Sequence, residues 1–150
     1  MGEVIIRGMV YDDVDQVMNI EKVRFSLPWS KDAIASELFN ELAYYQCAEK
    51  SGKIVGYMGM WKIINECHIT NIAVLPEFRN KGIGAMLIEK TIEICKSSEI
   101  SMMTLEVRVS NEPAIKLYKK FGFIPVGKRP NYYVKPVEDA LIMWKKIYLD

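Results

Sequence analysis

The sequence predicts an α+β fold with elements in the order βααβββαβαββ: a central mixed, mostly antiparallel sheet of about seven strands flanked by four helices. Three observations carry this. YYQCAEKSGKIVGYMGMWKII turns back at Ser51-Gly52 and is followed by ECHITNIAV, a three-strand meander. The loop RNKGIG, a helical stretch and the strand SMMTLEVRV then embed one βαβ step. The chain closes with two further strands, around GFIPVGKR and EDALIMWKK.

Taken in order, residues 3 to 10 form a short β-prone run. Asp13, with Gln16 three positions on, has the pattern of a capping pair opening a helix that turns Val14, Val17 and Met18 inward. Pro28 in FSLPWS ends that helix, and Ser30 is a favourable N-cap for a second, short one carrying Ile34 and Leu38. After the meander comes a helix over about 83 to 97. The last helix, in NEPAIKLYKKFG, has Asn111 or Ser110 as its cap, Pro113 in its first turn and Gly122 past its end. No repeat, low-complexity tract or linker divides the chain, which predicts one domain over residues 1–150.

Half of the 150 residues are apolar, enough for a sizeable core. Twenty basic against nineteen acidic side chains leave a net charge near zero, without the positive excess by which nucleic-acid binders neutralise phosphates. Cys47, Cys67 and Cys95 are odd in number and widely spaced, with no CxxC and only one histidine in the chain. Neither a disulfide framework nor a metal site is expected, and a reduced, cytoplasmic setting fits. MGEVIIRGMV meets Asp12 and Asp13 too early for a signal-peptide core, and Ile6 stands where a myristoylation signal needs Ser or Thr. No apolar run approaches the roughly 20 residues of a membrane span, so a soluble, unanchored protein is expected.

RNKGIG places two cations and two glycines between a buried strand and a helix. A helix beginning there presents unpaired amides and the positive end of its dipole, and glycines let an anion approach that backbone. Gly82 and Gly84 permit the approach while Arg79 and Lys81 add charge, which suits a phosphate or pyrophosphate. The alternative is a basic turn whose glycines relieve crowding between strand and helix. A Walker loop would need Gly-Lys-Ser/Thr and a dinucleotide loop G-x-G-x-x-G, and neither is here.

HITNIAVLPEF, RNKGIG, LEVRVSNEPAIKLYKKFGF and the element order together resemble the GNAT superfamily of acetyl-CoA-dependent N-acetyltransferases over nearly the whole chain. The resemblance implies acetyl-CoA as cosubstrate. It assigns the coenzyme A pyrophosphate to Arg79, Asn80, Lys81, Gly82, Ile83, Gly84 and Ala85, and the pantetheine arm to the backbone of Ile72, Ala73 and Val74. It also turns Asn111 and Tyr118 toward the cofactor. A strand that binds the arm by its backbone must splay from its neighbour, often with the help of a bulge.

FSLPWS, TLEVRVSNEPAIKLYKKFGF and RPNYYVKPVEDALIM are further similar to the RimI-like and NatA-catalytic-subunit branch, which acetylates protein N-termini. By that resemblance Phe25, Leu27, Pro28 and Trp29 in one loop, and Tyr132 and Tyr133 in another, flank the entry for a peptide's first residues. The alternative is that these aromatics are loop anchors packed on the core. The implied partners are protein or peptide N-termini, of a ribosomal protein or of nascent chains, with no nucleic acid and no membrane. Competing readings are a GNAT enzyme acting on a small amine or a lysine side chain, and a non-catalytic acyl-CoA-binding module.

Acetyl transfer needs a neutral amine, a destination for its proton and donors for the oxyanion. An α-amino group titrates near ~7.7 to 8.0 and a lysine near ~10.4, so about a tenth of the former is neutral at pH 7. One modest base can serve an N-terminus. Glu106 interrupts an apolar strand whose faces should both be covered, and it matches the branch's glutamate base; pairing with Arg108 or His68 is the structural alternative. Tyr118 falls on the apolar face of its helix with Ala114, Leu117 and Phe121, and the family makes it the acid that protonates the departing thiolate. His68, the single histidine, lies on the same nominal strand face as Ile72 and could relay protons beside Glu106. Glu21 could meet the amine or the first residue. A backbone N–H near Val74 is expected to serve the oxyanion.

Overall fold

The structure, a computed structural model, describes residues 3–24 and 29–147. The elements run β1 (Val4–Gly8), α1 (Val14–Arg24), α2 (Lys31–Glu37), β2 (Ala43–Lys50), β3 (Lys53–Ile63), β4 (Glu66–Val74), α3 (Ile83–Ser97), β5 (Met102–Arg108), α4 (Glu112–Lys120), β6 (Ile124–Val134) and β7 (Val137–Lys146). They form one seven-stranded sheet in the order β1-β2-β3-β4-β5-β7-β6, in which β4 and β5 are the parallel neighbours. The expected order of elements is therefore the observed one.

Local chemistry explains most boundaries. Ser51 and Gly52 both have positive φ, as the tight turn between β2 and β3 requires for its twist to match the strands. Ser30 Oγ accepts from the Ala33 amide and starts α2, and Asn111 Oδ1 accepts from the Ala114 amide and starts α4. The sheet separates two apolar layers. On one face α3 and α4 bury Leu87, Ile88 and Tyr118 against Met103, Leu105 and Val107. On the other, Val14, Val17, Ile20 and Ile34 from α1 and α2 cover Tyr45 and Tyr57.

Two local expectations fail. Asp13 does not pair with Gln16: it ends a 3-10 turn, accepts from the Val10 amide at 2.8 Å and holds the Arg7 guanidinium by two bonds of 2.8 and 2.9 Å. Gln16 instead accepts from the Ile54 amide. Asp13 thus caps one turn earlier than expected and anchors β1, while Gln16 serves a long-range contact with β3. RPNYYV is not a loop either; it continues β6, with a register break between Arg129 and Tyr133 and the Asn131 amide donating to Asp139. The break absorbs Pro130 and Asn131.

The feature that positions the site is a fork. β4 and β5 are paired only from Glu66 to His68 against Met102 to Thr104, and beyond that they part. A bulge at Thr70 accompanies it, since Gly59 faces Asn71 while Met60 faces Ile69. The Leu75 amide donates to Val55 O on β3, so by strand alternation Ala73 also points to β3 while the amides of Ile72 and Val74 point into the gap.

Candidate active site

Two cavities open along the fork. The first, about 720 Å³, is lined by Glu21, Trp29, Asn71, Ile72, Glu106, Asn111, Ala114, Tyr118, Tyr132 and Tyr133, among others. The second, about 670 Å³, is lined by Ile72, Ala73 and Val74, by Arg79, Asn80 and Gly82 through Ala85, and by Asn111, Ala114, Leu117, Tyr118 and Lys120 of the opposite wall. Ile72, Asn111, Ala114 and Tyr118 belong to both, so the two meet end to end with Tyr118 at the junction.

The second cavity brings backbone amides and a cation together. No side chain caps α3, and its first intrahelical acceptor pairing runs from the Met86 amide to Gly82 O, which leaves the amides of Ile83, Gly84 and Ala85 directed at the cavity. Gly82 has φ +81°, a conformation that strains any other side chain, and Asn80 also has positive φ. Gly84 has a different reason: a Cβ there would meet Leu117 Cδ2 at 3.2 Å, so its lack of a side chain lets α3 approach α4. Lys81 does not line the cavity; its Nζ lies 5.7 Å from the Phe78 ring, which Lys50 and Lys53 also approach. The Asn111 side chain is committed to capping α4 while its residue lines both cavities.

The first cavity gathers the acid-base groups. Glu106 lies on the β5 face opposite Leu105 and Val107, and that face is not roofed by a helix as expected but opens into the cavity. Its Oε1 lies 2.9 Å and its Oε2 3.2 Å from His68 Nε2, and the Tyr132 hydroxyl donates to Oε1 at 3.3 Å. His68 holds its carboxyl below the usual range more strongly than burial raises it. Arg108 is not Glu106's partner; it binds Glu138 at 3.1 Å and stacks 4.3 Å from the Tyr133 ring. His68 itself is absent from the cavity lining and stands behind Glu106. Tyr132 and Tyr133 pack edge to face, 5.0 Å between centroids, and burial pushes the Tyr133 hydroxyl up to about 12. Tyr118 is 4% exposed and packs on Phe123.

On the opposite wall Glu21 is buried, its Oε2 accepting from the Trp29 backbone amide at 3.0 Å. Burial raises its pKa, countered by the Trp29 amide and the Asn71 side chain. Phe25, Leu27 and Pro28, the other residues expected at this mouth, lie outside the described residues.

The acetyltransferase (GNAT) family model matches residues 14–123, well over half of the chain. The chain belongs to the GNAT acetyltransferase family. It is accordingly an N-acetyltransferase whose acetyl donor is acetyl-CoA. Over 95% of its length it is 46% identical to a Bacillus subtilis (strain 168) protein, also covered to 95%, provisionally named a [ribosomal protein bS18]-alanine N-acetyltransferase. It is 32% identical, over 92% of this chain and 94% of the relative, to the [ribosomal protein bS18]-alanine N-acetyltransferase of Escherichia coli (strain K12). The crystal structure of the Escherichia coli ribosomal-protein-S18-alanine N-acetyltransferase superposes with a TM-score of 0.91, at 30% identity, covering 99% of this chain and 96% of that one. Arabidopsis thaliana Naa50 in complex with the bisubstrate analogue CoA-Ac-MVNAL superposes at a TM-score of 0.81 and 26% identity, covering 95% and 97%.

Among this GNAT chain's site residues, sequence reasoning missed Asn71 and Lys120 and considered Arg108 only as a partner for Glu106. Asn71 carried a signal: a buried amide in the apolar strand ITNIAV needs a partner, and here its side chain meets Glu21 and the Tyr45 hydroxyl. Lys120 joins the second cavity from a sequence-distant helix, and Arg108 is placed by β7 through Glu138; neither had a local mark.

Proposed function

We propose that this enzyme acetylates the α-amino group of protein N-termini, with a ribosomal protein of the bS18 kind as the first substrate to try, by direct attack of the amine in a ternary complex in the cytoplasm. The observation that carries this reading is the meeting of the two cavities at Tyr118: an end lined by the first residues of α3 and a carboxylate-lined end share one junction, where a thioester and an amine would come together. The identity to relatives named [ribosomal protein bS18]-alanine N-acetyltransferase and N-alpha-acetyltransferase supports the substrate class. In the described residues no helix is long and apolar enough to cross a membrane.

In this proposal the α3 amides from Ile83 to Ala85, with Arg79 and Asn80, hold the pyrophosphate, and Ile72 to Val74 bind the pantetheine arm along the open edge of β4. Lys81 contributes charge at a distance, since it faces Phe78 rather than the cavity. Glu106, kept ionised by His68, takes the proton from the substrate's amine through water, and the amine's lone pair then attacks the thioester carbonyl. The Ile72 and Val74 amides in the gap are the donors available to the oxyanion. Tyr118 supplies a proton to the leaving thiolate. His68 is a positioning residue for Glu106, and Trp29, Tyr132 and Tyr133 border the peptide's entry.

The test is a panel of peptides with free or acetyl-blocked N-termini, with and without internal lysines, incubated with acetyl-CoA. Acetylation confined to free N-termini is expected. Turnover indifferent to blocking, or better with free polyamines, sinks the reading.

A further inference from the structure

Glu21 is an expensive side chain for a purely structural position. It is 1% exposed, in the last turn of α1, and it lines the same cavity as Glu106 from the opposite wall. One oxygen is accounted for: Oε2 accepts from the Trp29 amide. The other, Oε1, is buried and has no hydrogen-bond partner among the described residues. A buried carboxylate oxygen left without a donor costs more stability than almost any other polar defect, so a protein that retains one at a cavity wall gains something there from what enters the cavity.

The groups around it narrow what that is. Ile69 at this end offers no donor, the Asn71 side chain lies near Glu21 without completing a hydrogen bond to Oε1, and the cavity's guanidinium, Arg108, is engaged by Glu138 and by the carbonyls of Lys135 and Pro136. Glu106 cannot be the first contact for a cation on equal terms, because both its oxygens already lie against His68 and one also accepts from Tyr132. A peptide's α-amino group arrives mostly as an ammonium at neutral pH, with three donors and one positive charge. That is the complement of Glu21 Oε1.

Building on the N-terminal acetylation reading, we propose that Glu21 Oε1 seats the substrate's α-ammonium, while Glu106 receives its proton. The two carboxylates thus divide the work. An ammonium N–H donates to Glu21 and fixes the nitrogen; a second N–H bond breaks as its proton passes to the Glu106 carboxylate, leaving the lone pair on a nitrogen that Glu21 still holds.

Binding rather than turnover tests this. With coenzyme A present, affinities are measured by calorimetry for two peptides of the same sequence, one with a free α-amine and one whose first residue lacks the amine and keeps its side chain. The wild type should prefer the amino peptide by roughly tenfold or more, the worth of a charge-assisted hydrogen bond. Glu21→Gln should bind the two within about twofold of each other while keeping its affinity for coenzyme A. Should that variant lose coenzyme A binding, Glu21→Met takes its place in the same comparison. Equal binding of both peptides by the wild type, or an undiminished preference in the variant, overturns the Glu21 seat. Acetylation at lysines of blocked peptides would instead sink the N-terminal reading, so the two failures are told apart.

Discussion

His68 is the last residue of β4 paired with β5, and its Nε2 lies 2.9 Å from Oε1 of Glu106, the next side chain on the same face of β5 beyond the pairing. The point where the strands part is thus fastened by the pair on which proton removal is proposed to depend. Because the contact with His68 is the largest influence lowering Glu106, ahead of the burial that opposes it, removing the ring raises that pKa. A base works only when ionised, and a depressed pKa keeps it ionised further into acid. In His68→Gln the acid limb of kcat/KM against pH should therefore move to higher pH, with the alkaline limb in place; an unmoved acid limb contradicts this.

Glu106→Gln and Tyr118→Phe should each lower kcat by about 10² to 10⁴, the usual worth of a positioned acid or base. Neither residue lies at the α3 terminus, so calorimetric affinity for coenzyme A should stay within about twofold of the wild type. A variant that loses turnover and coenzyme A binding together would point to a packing role.

Gly82→Val places a β-branched residue at φ +81°, in a region that costs such residues on the order of 1–3 kcal/mol. The space around a Cβ at Gly82 is open, so the strain resides in the backbone and is relieved by turning the loop amides away. Coenzyme A affinity should fall roughly tenfold or more. Gly84→Val acts otherwise, by forcing α3 from Leu117 of α4, and should also lower the thermal midpoint.

Asp13 and Arg7 tie β1 to the start of α1, with side chains 7% and 33% exposed. Asp13→Asn should cost about 2–3 kcal/mol at pH 7, less than a fully buried pair because Arg7 reaches solvent. Arg7 lowers the Asp13 pKa in the folded state. Its stabilisation is therefore complete above the unfolded value of ~3.9 and is lost as pH falls through the lower folded value. Urea midpoints of the two proteins should differ at pH 7 and converge in strong acid.

The sequence carried the element order because its punctuation is local: Ser51-Gly52, Ser30, Asn111 and the glycine loop each act on their own neighbours. It misled where another partner competes. Asp13 and Gln16 have the spacing of a cap, yet Asp13 turns back to Val10 and Arg7 while Ile54, far along the chain, claims Gln16. The segment bearing Tyr132 and Tyr133 is expected as a loop, yet a register break lets β6 continue through it. The candidate site was legible in residue types and opaque in pairing. Which partner Glu106 takes depends on the register of two strands joined through a helix, and whether Glu21 keeps an oxygen unmatched depends on Trp29 and Asn71 arriving from separate elements.

Only three residue pairs join β4 to β5. Along the remainder of β4 the interior of the sheet carries an unoccupied row of backbone donors and acceptors, and an acyl-pantetheine lying there would act as an eighth, borrowed strand. A ligand so placed would be part of the architecture as well as of the reaction. Amide exchange at Ile72 and Val74 should slow when coenzyme A is added, and thermal tolerance in the cell should rise and fall with the size of its acyl-CoA pool.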